Sequence, residues 1–341
     1  MALTPYESDI AEQPAALRRF GSAPLPAGLE KVSLTDHGRV VITAMGSSHY
    51  AGLPTWRRLV AEGHPVWWVS ATELLDTPEL VTPDTLLIAT SQSGRSGEMV
   101  ALLEGPARTV RTVIGITDSE ESPLGQAADV LILLRSGPEA TVSSKSYLNT
   151  VAAHQSLTGA LLGTGVSDTD VEDAARSLEG FEVSDELCAA AQSFTRGPEP
   201  RLALIGKRDD IATSLMGALV LKEASKIPAE GYIGGEFRHG PMETAGPGLT
   251  AVVFAAPEVA TQADPSLAAL ADELIRSGSD VLLVGGEPRA GARHIPLPHG
   301  PGLARTAVAT RLVQQLSLDI ARARGITPGA FRFGQKITTA L

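Results

Sequence analysis

One cysteine, Cys188, is all the sulfhydryl chemistry this 341-residue sequence offers. An intrachain disulfide is excluded, a thiolate metal cluster is excluded with it, and a reducing compartment is permitted. Aromatic residues are also scarce, at 4% against 43% hydrophobic overall. The core must therefore be built from Val, Leu, Ile and Ala, which suits parallel strands covered by helices on both faces. Long apolar runs are missing: none approaches the roughly 20 residues a spanning helix needs. Residues 1–12 lack the basic-then-apolar order of a secretory leader. Cations are in deficit, 28 Lys and Arg against 39 Asp and Glu, for a net charge of −11. Such a surface repels nucleic-acid backbones and anionic lipid at long range. These absences together lead to the expectation of a cytoplasmic protein with no nucleic-acid or membrane partner, no metal and no cofactor. A small anionic ligand stays compatible, because a few local hydrogen-bond donors outweigh the net field.

What is present is alternation. Short apolar runs at 39–45, 65–70, 85–90, 112–117 and 130–134 read as strands, separated by amphipathic stretches. A long helical stretch follows at 143–162, then an acidic, partly helical connection at 163–200. Strand patterns restart at 201–205, 250–255 and 280–284, with a short one at 293–296, around helices at 211–226 and 303–324. Strands alternating with helices predict an α/β fold of two tandem doubly wound parallel sheets. At about 150 residues per domain, the length agrees. The expected boundaries are an N-terminal extension 1–30, a first domain 31–165, a second domain 190–330 and a tail 331–341. "VITAMGSSHYAG" and "LALIGKRDDIAT" both read strand, Gly, polar turn, helix, about one domain length apart. They suggest a diverged duplication. Hydroxyls at the first turn and charges at the second predict one phosphate pocket per chain, in the first half.

Two serine-rich turns carry that expectation. Ser47 and Ser48 follow one strand; Ser91, Gln92, Ser93 and Ser96 follow another. Ligands of open α/β sheets sit beyond the carboxyl ends of the strands. The helices that follow begin with unpaired N–H groups at their positive dipole ends. Hydroxyls beside such groups make a phosphate cradle, and Gly46 and Gly94 let the backbone come close. Ser and Gly are also ordinary turn and N-cap residues. Ser143 and Ser144 open the long helix and read equally well as a plain cap. Glu223, between Lys222 and Lys226, fits a solvated face. The segment after it, "IPAEGYIGGEFRHGP", reads as a Gly-rich loop presenting His239 among carboxylates, a plausible acid/base loop or an ordinary surface histidine. Spacing gives Lys336 no special standing.

The segments "EQPAALRRF", "AMGSSHYAG", "SQSGRSGE", "TVSSKSYLNT", "LKEASKIPAEGYIGGEFRHGP" and "GQKITTAL" together resemble the double sugar-isomerase (SIS) domain family. The resemblance is to the isomerase half of glucosamine-fructose-6-phosphate aminotransferases, in that family's order and over essentially the whole chain. It implies flavodoxin-like sheets and a sugar-phosphate substrate. It implies that Ser48, Ser91, Gln92, Ser93 and Ser96 hold the phosphate, and that Ser47 and Ser143 line the sugar hydroxyls. By the same resemblance Glu223 moves a proton between C1 and C2, His239 opens the ring from a neighbouring subunit, and Lys336 forms a Schiff base with the open-chain sugar. A homodimer with shared sites follows. Three positions depart from the family: Met45 stands for a cysteine, Val220 for an active-site lysine, and Arg95 for an acidic residue. The aminotransferases also carry a glutaminase domain ahead of this half, whereas this sequence starts Met1-Ala2-Leu3. The implied activity is therefore hydrolytic: an amino sugar phosphate deaminase or isomerase, of the glucosamine 6-phosphate to fructose 6-phosphate type. A deglycase of 6-phosphorylated sugar–amine adducts and a non-catalytic sugar-phosphate sensor are the alternatives.

Overall fold

The computed structural model describes residues 2–164, 168–255, 257–259, 262–263, 265–298 and 302–339. The chain divides into two compact units: residues 12–172 with 333–341, and residues 1–11 with 173–332.

The first unit is built on five strands: β1 (Arg39–Ala44), β2 (Val66–Trp68), β3 (Thr85–Thr90), β4 (Thr112–Thr117) and β5 (Val130–Leu133). All neighbours are parallel, in the order β2-β1-β3-β4-β5. This is the flavodoxin-like order, with its topological switch between β1 and β3. β3 is buried at all six residues, as a central strand covered on both faces must be. On one face Val41, Leu87, Ala89 and Val113 pack with Leu74, Met99, Leu102 and Leu124. The helix Lys145–Leu161 is buried over most of its circumference and so shows no amphipathic stripe. Several of its polar residues find partners within the unit. Asn149 donates to the carbonyls of Ala16 (2.9 Å) and Leu134 (2.8 Å). Lys145, buried, pairs with Glu12 at 2.5 Å.

The second unit holds β6 (Arg201–Gly206), β7 (Ala229–Ile233), β8 (Leu249–Phe254), β11 (Asp280–Val284) and β12 (Arg293–Ile295), with an antiparallel pair β9 (Pro257–Val259) and β10 (Gln262–Ala263). Its five-stranded sheet is parallel, in the order β12-β11-β8-β6-β7. Counted from β6, that is the order of the first sheet. Two apolar layers sandwich it: Leu204, Val252, Leu282 and Leu316 on one face, Ile205, Val253, Leu270 and Leu283 on the other. Residues of the N-terminal helix Pro5–Ala11 pack here, with Tyr6 3.4 Å from Ser317.

β7 corrects the sequence reading, which placed residues 229–233 inside a Gly-rich loop. Gly231 is the reason for both the reading and the structure. A Cβ there would lie 2.7 Å from the Ser214 carbonyl oxygen. Glycine thus lets this edge strand lie close against the helix Asp210–Ser225. The connection expected at 163–200 proves to be mostly two helices, Asp168–Glu179 and Asp185–Arg196.

Candidate active site

The serine-rich turns fall at the carboxyl ends of β1 and β3, on either side of the switch point of the first sheet. Ser47 and Ser48 sit half-buried in the first turn of the helix Gly46–Ala51. The loop after β3 is fixed more firmly. The Ser91 amide donates to the Ile116 carbonyl at 3.0 Å, and the Asp118 amide donates to the Gln92 carbonyl at 3.0 Å. Gln92 Nε2 reaches Asp118 Oδ2 at 3.2 Å. Gly94 turns at φ +63°, and a Cβ there would meet Ser122 Oγ at 2.0 Å. Only glycine satisfies both the left-handed backbone and the contact.

Within this loop Ser91 Oγ and Ser96 Oγ lie 3.5 Å apart. Ser96 is the N-cap of the helix Gly97–Glu104, yet its side chain makes no capping hydrogen bond. Ser70, Ser122 and Ser184, by contrast, each accept from an amide of the helix they start. The ordinary cap explanation thus holds for those three serines and fails for Ser96. Its hydroxyl faces Ser91 instead of closing its own helix. Ser93 accepts from the Arg95 amide at 3.2 Å, and exposed Arg95 turns its guanidinium to the Glu121 carbonyl at 3.2 Å.

A carboxylate absent from the sequence-level candidates organises the other side of this unit. Glu139, its side chain fully buried, accepts at Oε1 from the amides of Ser144 (2.9 Å) and Ser146 (3.0 Å) and from Ser144 Oγ (3.0 Å). At Oε2 it accepts from Ser146 Oγ (2.5 Å) and from the Lys336 ammonium. Ser143 Oγ lies 3.0 Å from Ser146 Oγ. Burial pushes the Glu139 carboxyl up, but the charge and hydrogen bond of Lys336 and the bonds from Ser146 outweigh it. The group ends below its ordinary value of 4.5. The tail that carries Lys336 is otherwise exposed, and its Thr338 carbonyl accepts from the Gly97 amide at 3.1 Å. Lys336, the Ser143 turn and the loop Ser91–Ser96 are thus tied into one unit. Nothing in spacing marks Glu139: a lone Glu after Gly137-Pro138 reads as solvated turn. Only the fold, which brings five donors to it, reveals it.

In the second unit Glu223 is half-buried near the end of the helix Asp210–Ser225, and Lys226 donates to its carbonyl. Burial, then the charge of Arg332, push the Lys226 amine below its ordinary value, while the Glu223 carboxylate opposes them. Val220 is buried in the packed face of that helix. His239 is exposed between two short 3₁₀ turns, Glu236–Arg238 and Pro241–Thr244. The loop is not loose around it: Phe237 is fully buried, edge-on to Tyr232 at 5.1 Å, and Arg238 pairs with Glu273 at 3.0 Å. The charged turn after β6 is internally satisfied, Asp210 being paired with Arg305 at 3.3 Å, both buried.

Residues 33–160 match the family profile described as the SIS domain. This segment is a SIS domain. Over 93% of its length the chain is 30% identical to the glutamine–fructose-6-phosphate aminotransferase [isomerizing] of Symbiobacterium thermophilum, of which it spans 56%. The chain thus spans about half the length of the curated relatives it matches. Among solved structures, the C-terminal domain of glucosamine-fructose-6-phosphate aminotransferase from Francisella tularensis superposes with a TM-score of 0.81 at 20% identity. That match covers 96% of this chain and 98% of the other. Glucosamine-6-phosphate deaminase from Thermotoga maritima superposes at 0.72 and 21% identity, over 98% and 99%. At such identities the superpositions establish the fold. Among the described residues no helix is long and apolar enough to cross a membrane.

Proposed function

We propose that this protein binds a sugar 6-phosphate and acts on it as an amino sugar phosphate deaminase or isomerase. The observation that carries the reading is the uncapped Ser96 hydroxyl facing Ser91, in the loop where the Lys336 tail docks. Ser48, Ser91, Gln92, Ser93 and Ser96 hold the phosphate, and Ser47 and Ser143 face the sugar. A phosphate fixed remotely from the reacting carbons supplies binding energy that orients them. The names of its relatives, an isomerizing aminotransferase and a deaminase, agree with such a substrate.

His239, from a second copy of the chain, opens the ring by moving a proton between the ring oxygen and the anomeric hydroxyl. Glu223 takes the C2 proton of the open-chain amino aldose and returns it to C1, which leaves a 2-imine. Lys336 passes a proton to the imine nitrogen, its freed amine adds to C2, and ammonia leaves, giving a lysine imine. Water then releases the ketose phosphate and restores the amine. The sum is amino aldose phosphate plus water giving ketose phosphate plus ammonia.

Val220, apolar where the aminotransferases carry a lysine, favours a second reading in which the nitrogen substituent is larger: cleavage of a 6-phosphorylated sugar–amine adduct by the same groups. One assay separates the two. Purified protein is given hexosamine 6-phosphates and fructosamine 6-phosphate adducts, with Glu223→Gln as control. Ammonia from the former, lost in the variant, supports the deaminase; amine release from the latter alone supports the deglycase. Binding of sugar phosphates with no turnover of any of them defeats both and leaves a sensor.

A further inference from the structure

We infer that Glu139 is the positioning residue for the Lys336 amine, and that this buried carboxylate, rather than the tail itself, determines where and how reactive that amine is. The inference deepens the proposed function and rests on it for Lys336 being a nucleophile.

Geometry makes the case. Glu139 is held independently of Lys336: two backbone amides and two hydroxyls from Ser144 and Ser146 donate to its two oxygens. The amides belong to the start of the helix Lys145–Leu161, so the helix dipole favours the carboxylate as well. Oε2 is therefore a fixed point, set by the most deeply packed helix of the unit. Lys336 comes to it from the opposite end of the chain, on a segment with little burial of its own. Phe333 is fully exposed and Ile337 is exposed too. Two tethers hold its described residues, the Lys336–Glu139 pair and the Gly97–Thr338 hydrogen bond. Of these, only the ion pair is made by a side chain.

The pairing has a chemical consequence. An ammonium is not a nucleophile, and an amine hydrogen-bonded to a buried carboxylate is shielded from reagents in solution. Glu139 thereby keeps the amine docked and quiet in the free protein. The same carboxylate orders the turn carrying Ser143, so one group sets the position of the amine and of a predicted sugar-contacting hydroxyl together.

The test compares the full chain with Glu139→Gln and Glu139→Asp, without any sugar, by timed acylation with an amine-reactive ester and mass spectrometry. Lys336 is expected to react several-fold faster in Glu139→Gln, with Lys145 unchanged and Glu139→Asp intermediate. An unchanged or slower rate at Lys336, or a parallel rise at Lys145 that signals a loosened helix start, overturns the inference. Should Glu139→Gln not fold, Lys336→Met carries the test through hydrogen exchange. Faster exchange of the Gly97 amide supports the inference, and an unchanged rate overturns it. A kinetic arm follows where the protein turns over a sugar phosphate: Glu139→Gln is expected to lower kcat about tenfold or more with KM changed far less, since the phosphate loop is intact. A fall confined to KM counts against positioning. If no sugar phosphate is turned over while the acylation result holds, the proposed reaction falls and the role of Glu139 in holding Lys336 stands.

Discussion

His154 Nε2 lies 3.1 Å from the Thr90 hydroxyl, fully buried where the long helix Lys145–Leu161 covers the carboxyl end of β3. Burial pushes this imidazole down to about 4 from an ordinary 6.5. His49, stacked on Trp68 with ring centroids 3.9 Å apart, is pushed down to about 4 for the same reason. A base whose folded pKa is depressed makes the unfolded chain the better proton binder. Stability is therefore complete above pH 6.5 and declines as pH falls toward 4. For His154 the loss approaches about 3 kcal/mol at the acid end. Urea unfolding at pH 7.5 and pH 5 measures it, and His154→Gln is expected to flatten the difference. Equal stability of the wild type at both values would contradict the assignment.

Ser96 and Ser122 offer a matched pair of substitutions. Ser122 caps its helix by accepting from the Gly125 amide at 3.0 Å, so Ser122→Ala is expected to cost about 1 kcal/mol of stability. Ser96 caps nothing, so Ser96→Ala is expected to leave stability nearly unchanged. It should instead weaken sugar-phosphate binding by about 1.5–3 kcal/mol, the range for a hydrogen bond to a charged group. Denaturant melts and calorimetric titration of both variants read the two effects separately.

Gly94→Ala is the sharpest probe of the loop itself. The new Cβ meets Ser122 Oγ at 2.0 Å on a backbone at φ +63°. Strain of this kind costs about 1–3 kcal/mol, and here it displaces the Ser91–Ser96 pair as well. Lower thermal stability together with loss of phosphate affinity is expected; loss of neither would mean that the loop relaxes freely.

Asp210 is held up at about 6 by burial, against the opposing pull of Arg305. Removing one partner strands the other charge: Arg305→Met or Asp210→Asn alone is expected to cost about 3–5 kcal/mol. The double change should recover part of that loss. Additive losses in the cycle would show that the two side chains do not depend on each other.

Exposed His239, on a loop pinned by Phe237, yields a prediction about assembly. Mixed Glu223→Gln and His239→Ala chains are expected to regain turnover if a partner supplies the histidine, although each variant alone is inactive. No recovery on mixing, with the mixed dimer verified by tagged pull-down, would place His239 and Glu223 of the same chain at each site.

The sequence was most legible where period and composition agree. Nine of the ten strands of the two parallel sheets are legible in the sequence, the central ones as apolar runs, because a strand buried on both faces has no choice of residue. β7 is not, because its pattern is broken by Gly231, whose purpose is contact with the helix behind it. Ser96 was legible as a residue type but ambiguous as a role; the missing cap bond is a fact of three dimensions. Glu139 was illegible, since its five donors come from the turn that follows it and from a lysine 197 positions away. Local pattern reports what a residue is beside in the chain, and a buried carboxylate is defined by what folds onto it.

The segments that complete the two units are exchanged end for end. Residues 1–11 group with 173–332, while residues 333–341 group with 12–172. During synthesis, then, the first-sheet unit can assemble its serine loops early, but it waits for the whole second-sheet unit to be translated before Lys336 reaches Glu139. On the proposed reading, a nascent chain holds its phosphate-binding scaffold before its tail amine, so the proposed chemistry is switched on last. A fragment cut at the midpoint would inherit the proposed cradle and lose the proposed nucleophile.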